Sequence, residues 1–361
     1  MAVTHLYIHV PFCQTRCHYC DFFSTGGSGA RAQAYLAALL HELHESCALL
    51  GRLETVYVGG GTPTFAGSDF LTGLLEAVAP LVADGVEVTV EANPASLDGL
   101  LAQALASAGV TRISLGAQSF DPRLRERIGR KGSVDGIAAA ASAVRDSGID
   151  GLGLDMLFAL PGQTAEMLSR DLERALELAP DHISCYELTV ARDSVLAKLE
   201  GEALELAQAR AGEFYGLVSG KLEAAGYRWY ETSNYARPGS ECRHNLACWS
   251  GDDYLGIGAG AWSTVGSRRW RNIADLEGYI ASPGAGRVSE PLDRRQKLAE
   301  ALMLGLRKAD GVELDRVKEV VDAGQLADLT LNGFVAEDGA RIFLTRAGRF
   351  VANEVCARLL R

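Results

Sequence analysis

An α/β architecture is predicted by three features of the sequence: a partial barrel of six βα units, carrying a small winged-helix-like module at its C-terminal end. Short β-rich runs alternate with longer helical patterns from Leu6 to about Leu188, the signature of repeated βα units around a parallel sheet. The alternation gives six strands rather than eight and then yields to one long helical stretch over roughly 204–225, which leaves the barrel open. After about Pro291 the pattern changes again, to helices and a hairpin.

The expected strands run 6–10, 55–58, 86–90, 112–115, 152–156 and 182–186. Between the first two, Leu36, Leu39, Leu40, Leu43, Cys47 and Leu50 recur at helical spacing, so an amphipathic helix should pack on the sheet there with Cys47 in the core. In the C-terminal part a strand over 331–336, a turn at Glu337-Asp338-Gly339 and a second strand over 341–345 lead into a last helix. These changes of pattern divide the chain into a barrel over 1–230, an extension over 231–290 and the winged-helix-like module over 291–361.

Composition narrows the partners. The chain has 35 Lys+Arg against 46 Asp+Glu, a formal charge of −11 over 361 residues, without a block of like charge, so neither a nucleic-acid groove nor an anionic membrane surface is expected. Residues 291–361 hold 12 basic and 11 acidic side chains by the same count, which favours a structural or lid role for that module over DNA binding. No apolar run reaches the eighteen or so residues of a membrane span, and no basic-then-apolar leader precedes Pro11, so a cytoplasmic protein with no integral membrane segment is expected. In a reducing compartment its eight cysteines read as metal ligands or buried thiols rather than disulfides.

Three of them, Cys13, Cys17 and Cys20, fall within eight residues. A zinc site normally needs a fourth ligand, for which His18, His9 or Asp21 stand near, but Cys-x3-Cys-x2-Cys is not a usual zinc spacing. Three soft thiolates on a compact loop suit an iron–sulfur cluster better, and a missing fourth thiolate leaves one iron open to an outside ligand. Gly59-Gly60-Gly61-Thr62-Pro63 follows the second strand, where a glycine run lets backbone approach a ligand or simply turns the chain. Glu91 ends the third strand and Gln118 follows the fourth, so polar side chains appear where apolar strands stop, as site residues or as caps.

The run Tyr7-Ile8-His9-Val10-Pro11-Phe12-Cys13-x-x-x-Cys17-x-Tyr19-Cys20 closely resembles the radical S-adenosylmethionine (SAM) superfamily, in its coproporphyrinogen-oxidase-like branch, and the resemblance extends over almost the whole chain. It implies a partial (βα)6 TIM-like barrel. It also implies a 4Fe-4S cluster on Cys13, Cys17 and Cys20, whose open iron is chelated by the methionyl moiety of SAM; one-electron reduction then gives a 5′-deoxyadenosyl radical. Further cofactor-site residues follow by the same resemblance: Tyr7; Gly60, Gly61 and Thr62 near the methionyl amino group; Glu91 and Gln118 along the site; Arg130 on the carboxylate; and Asp155 toward the adenosine. A fixed guanidinium suits a carboxylate, and an acid among Leu152, Leu154 and Leu157 needs a partner. By residues alone, Arg130 reads equally as a solvated helix-end charge and Tyr7 as core.

A second segment runs Glu231-Thr232-Ser233-Asn234-Tyr235-Ala236, then Cys242-Arg243-His244-Asn245-Leu246-Ala247-Cys248-Trp249 and a glycine-rich stretch from Gly256 to Ala261. It resembles the His-Asn-x-x-Tyr-Trp motif of the heme-chaperone (HemW-type) branch, which implies heme binding through His244, since imidazole is a common axial ligand. The chain departs from that pattern at Cys248, in place of tyrosine, and at Trp262, in place of histidine. Cys242, His244 and Cys248 read alternatively as ligands of a second metal, or His244 as a hydrogen-bonded structural residue.

Two functions follow from the resemblance. One is a heme chaperone that binds cluster, SAM and heme and passes heme to an acceptor protein. The other is an oxygen-independent coproporphyrinogen III dehydrogenase, in which the radical takes hydrogen from propionate side chains before decarboxylation. The oxidases carry a further cysteine two positions after the third; that position is Phe22 here, which favours the chaperone. A reductant such as flavodoxin or ferredoxin is implied for either.

Overall fold

The computed structural model describes residues 2–26, 29–191 and 194–361. Its six parallel strands are β1 (Val3–Val10), β2 (Leu50–Gly60), β3 (Val82–Ala92), β4 (Arg112–Gln118), β5 (Gly151–Phe158) and β6 (His182–Glu187). They pair in sequence order, so the expected six-unit partial barrel is the observed one. Helices α1 (Ala30–Ser46), α2 (Ser68–Val78), α3 (Gly99–Ser107), α4 (Pro122–Arg127), α5 (Asp135–Asp146) and α6 (Ala165–Glu177) connect them.

Alternation along each strand sorts the two faces. Ile8, Val58, Val90, Ile113 and Leu152 are successive cross-strand partners, all fully buried in the main core with the flanking helices. The residues between them in sequence are polar: His5, Tyr7 and His9; Thr55 and Tyr57; Glu87, Thr89 and Glu91; Arg112 and Ser114; Asp155; His182 and Ser184. That second set faces the lumen, and it decides the chemistry of the fold.

The barrel does not end where the sequence suggested. Instead of one long helix there are two, α7 (Val195–Gln208) and α8 (Ala211–Ala224), broken at Ala209 and Arg210. The boundary at 230 falls inside β7 (Arg228–Glu231). After it, β8 (Asn234–Ala236) pairs antiparallel to β6, and β9 (Leu255–Ile257) pairs parallel to β1 on the opposite edge. The 231–290 segment is therefore built into the nine-stranded sheet. Its glycine-rich stretch serves close packing: a Cβ on Gly258 would stand 2.5 Å from the His9 carbonyl oxygen, while Tyr35 Oη donates to that oxygen and accepts from Ala259 N, both at 2.8 Å.

Helix α9 (Arg243–Ser250) follows β8 under the sheet, and β10 (Trp262–Val265), β11 (Arg268–Arg271) and β12 (Val288–Pro291) form a small antiparallel sheet beside α10 (Leu276–Ala281). The C-terminal module has a separate core that includes the fully buried Leu302, Leu306, Val317, Ile342 and Leu359. It consists of α11 (Arg294–Gly305), β13 (Val312–Glu313), α12 (Leu314–Val317), α13 (Ala323–Leu331), β14 (Val335–Glu337), β15 (Arg341–Leu344), α14 (Arg346–Arg349) and α15 (Ala352–Leu359). Leu331 ends a helix rather than opening a strand, because Gly333 turns the chain at φ +74°. Cys47 is exposed rather than core: α1 gives way at that residue to a 3-10 turn, which breaks the 3.6-residue period. Among the described residues no helix is long and apolar enough to cross a membrane.

Candidate functional site

The loop that leaves β1 carries the three cysteines and is tied down by backbone at both sides. Cys13 N donates to Thr25 O and Thr25 N to Pro11 O; His18 N donates to Ile128 O, and Leu196 N to His18 O. Cys20 N closes a turn on Cys17 O at 3.2 Å. Cys13, Cys17 and Cys20 all line one cavity of about 530 Å³ at the C-terminal ends of the strands, the rim where parallel α/β barrels place their sites.

Opposite the cysteines stand the strand-end residues. Gly60, Gly61, Thr62, Glu91, Gln118, Arg130 and Asp155 line the same cavity. The glycines are required there: Gly60 has φ +116°, and a Cβ on Gly61 would stand 2.8 Å from the Phe12 carbonyl oxygen. Their ribbon lets Gly60 N donate to Glu91 Oε2 at 3.0 Å while Tyr57 Oη donates to Oε1 at 2.9 Å. Burial, with the nearby Asp155 adding to it, pushes the Glu91 carboxyl up to about 7. Asp155 accepts from Ser114 Oγ at 2.9 and 3.1 Å, and burial raises its pKa as well. Among the described residues neither acid has a salt bridge.

Two cations, Arg16 and Arg130, line the cavity, and Arg130 is the one built in among the strand ends. Its Nη2 donates to Gly116 O at 2.6 Å, its Nη1 lies 3.8 Å from Cys17 Sγ, and its buried Nε has no partner. Glycine at 116 makes room for this guanidinium: a Cβ there would stand 2.6 Å from Nη2 and displace it. Gln118 holds φ +68° at a register shift in the β4–β5 pairing, a backbone conformation that costs a non-glycine residue about 1–3 kcal/mol.

Two expected residues lie outside the cavity lining. Tyr7 stands behind it, donating to His9 Nδ1 at 3.0 Å and stacked on Tyr57. His244 is 5% exposed, at the opposite end of the lumen: its Nδ1 is 2.8 Å from Thr55 Oγ1, its ring is stacked on Tyr57, and burial holds the imidazole neutral with a pKa of about 3. The segment around it plugs the N-terminal mouth of the barrel. Glu87 accepts from Arg243 N and His244 N, Arg112 donates to Ser240 O, and His182 meets Tyr230 Oη. The lumen thus has a polar floor built from the second segment, with Tyr57 between that floor and Glu91.

The residues fit a cluster and a zwitterionic, cationic ligand. Among the described residues no three His, Cys, Asp or Glu side chains converge as ligands of one ion. Thiols spread around a loop suit a polynuclear cluster, where each binds a different iron. An unpartnered guanidinium nitrogen and two half-buried carboxylates offer counter-charges to a carboxylate, an ammonium and a sulfonium. Residues missed from sequence are Tyr57, Ser114 and Tyr186, which also line the cavity; the signal was the polar partner of each apolar residue along the strands.

Comparison with known proteins agrees with this geometry. The Radical SAM superfamily profile matches residues 7–175, and that of the HemN C-terminal domain matches 292–351. The heme chaperone HemW of Bacillus subtilis is 34% identical over 98% of this chain and 98% of its own length; that of Mycobacterium tuberculosis H37Rv is 36% identical over 98% and 94%. The solved structure of coproporphyrinogen III oxidase (HemN) from Escherichia coli covers 99% of this chain and 90% of that one with a TM-score of 0.80 at 21% identity, which establishes the shared fold. With the cysteine loop, the strand-end cavity and full-length similarity in agreement, the chain belongs to the radical SAM superfamily, in the family of the HemW proteins.

Proposed function

We propose that this protein is a heme chaperone: it binds a 4Fe-4S cluster, SAM and heme, and hands heme to an acceptor protein. The observation that carries the reading is similarity over 97–98% of the chain, at 32–36% identity, to proteins that are themselves heme chaperones HemW. Phe22, 66% exposed at the cavity mouth, occupies the position of the oxidases' further cysteine and supports the same choice over coproporphyrinogen dehydrogenation. Cys13, Cys17 and Cys20 hold the cluster in this reading. Gly60, Gly61 and Thr62 approach the methionyl group with backbone, Arg130 takes its carboxylate, Glu91 faces the cationic ammonium and sulfonium, and Gln118 and Asp155 hold the remainder. When bound, cluster and SAM supply one-electron chemistry; the chain's own residues orient the ligand and neutralise its charges.

Tyr7 fixes Tyr57 by stacking, and Tyr57 holds Glu91 by its hydroxyl. His244 supports Tyr57 from below, and as a heme ligand it would first have to leave its bond to Thr55. In this reading the protein is cytoplasmic, and a reductant such as flavodoxin or ferredoxin supplies the electron. The test is to titrate heme into the reconstituted protein and, separately, to supply coproporphyrinogen III with reductant and SAM. Saturable heme binding without decarboxylated product is expected; a decarboxylated product overturns the chaperone reading.

A further inference from the structure

A second cavity, of about 470 Å³, lies at the seam between the barrel and the C-terminal module and shares Glu187 with the first. Its size is that of a small-molecule pocket, and its lining combines two chemistries. Part is aromatic: Phe158 and Phe350 flank Tyr215, with ring centroids 6.4 and 5.1 Å away. Part is cationic, with the guanidinium groups of Arg307 and Arg349. The carboxylates on the lining are Glu187, whose pKa burial raises, and the exposed Glu354.

The arginines are held but not satisfied. Arg307 makes no salt bridge among the described residues; its Nη2 donates to Asn353 Oδ1 at 3.1 Å and its guanidinium stands 5.4 Å from the Trp249 ring. Arg349 Nη1 meets Glu223 at 3.2 Å and its guanidinium lies 3.8 Å over Trp229, but its buried Nε has no partner. A buried donor left unpaired in a cavity wall is costly, and two planar cations stacked on indole rings are preorganised for carboxylate.

We propose that this seam cavity is the porphyrin site: a flat, apolar tetrapyrrole packs on the rings around Tyr215 and its propionate carboxylates are taken by Arg307 and Arg349. This rests on the heme-chaperone reading and locates its cargo away from the cysteine cavity and from His244. The test uses the full chain and metal-free protoporphyrin IX, which needs no axial ligand, followed by quenching of tryptophan fluorescence, since Trp229 and Trp249 lie against the two arginines. Arg307→Ala should weaken binding at least about tenfold, the loss of one charge-assisted contact, and Arg307→Ala with Arg349→Ala further. The dimethyl ester of protoporphyrin should bind the unaltered protein as weakly as the free acid binds the variant, a readout independent of whether a variant folds. Equal affinity for acid and ester, or undiminished binding by Arg307→Ala, places the porphyrin elsewhere and overturns the proposal while leaving the chaperone reading intact. Failure of the unaltered protein to bind either heme or the free acid removes both.

Discussion

Replacing Glu91 by Gln tests the electrostatics of the cysteine cavity. The side chain keeps its size and both neighbours, because the amide oxygen accepts from Gly60 N and the amide nitrogen donates to Tyr57 Oη. What is lost is the charge. Burial raises this carboxyl from 4.5 to about 7, so ionising it in the folded, ligand-free protein is unfavourable by roughly 3–4 kcal/mol at about 1.4 kcal/mol per pKa unit. The sign follows from the raised folded value: the penalty is absent below about pH 4.5, grows as pH rises, and is complete above about pH 7. At pH 8 the ligand-free Gln variant should therefore be more stable than the parent, and at pH 5 the two should be nearly equal.

SAM binding should move the other way. Loss of a charged partner for a cationic ligand is worth about 1.5–3 kcal/mol, so affinity should drop by about tenfold or more at pH 8. In the parent, affinity should fall as pH is lowered below about 7, by up to tenfold per unit, because the carboxyl must give up its proton to bind; in Glu91→Gln that slope should vanish. Anaerobic equilibrium dialysis of SAM at pH 6, 7 and 8, beside thermal unfolding of the ligand-free proteins, measures both. A Gln variant that keeps the pH slope, or is less stable at pH 8, refutes the reasoning.

Four further outcomes follow. Cys17→Ala, reconstituted with iron and sulfide, should lose the absorbance and iron content of a 4Fe-4S protein; full retention removes Cys17 from the ligand set. His244→Ala loses the bond to Thr55 and the ring under Tyr57, so it should destabilise by about 1–3 kcal/mol and weaken SAM while sparing porphyrin affinity; weaker heme binding with unchanged melting would reverse that assignment. Gly61→Ala brings a Cβ against the backbone after Pro11 and should cut SAM affinity at least tenfold in dialysis, with secondary structure by circular dichroism unaltered. Exposed Cys47 should be alkylated by iodoacetamide in the native protein well before buried Cys185, Cys242 and Cys356, as peptide mass spectrometry would read; equal rates would contradict their burial.

Much of the site was legible because its residues sit at ends. The glycines after β2, Glu91 at the end of β3 and Gln118 closing β4 are each the polar stop of an apolar strand, and all three meet the cysteines across one cavity. The lumen was harder. Thr55, Tyr57, Glu87, Arg112 and Ser114 alternate with buried apolar residues, a period-two pattern hidden because strands of a parallel sheet covered on both faces usually read as continuous apolar runs. The place of the second segment was not legible: Arg243 and His244 sit in a polar cluster that forms the barrel floor, reached by pairing β8 and β9 at opposite sheet edges, which no local signal records. Cys47 was misjudged because a helical period was extended into the 3-10 turn that ends the helix.

The pairing of β9 with β1 also orders events during synthesis. β1 leads directly into the cysteine loop, yet its outer edge is covered only by residues 255–257, and the loop itself is pinned by the backbone of Ile128 and Leu196. Contacts of such long sequence separation close late. On an emerging chain the three thiols precede the strand that closes the sheet over β1 by more than half the protein, so metal delivered before β9 has emerged would meet an unfinished barrel rather than a preformed nest. Loading belongs after the sheet has closed on its first strand.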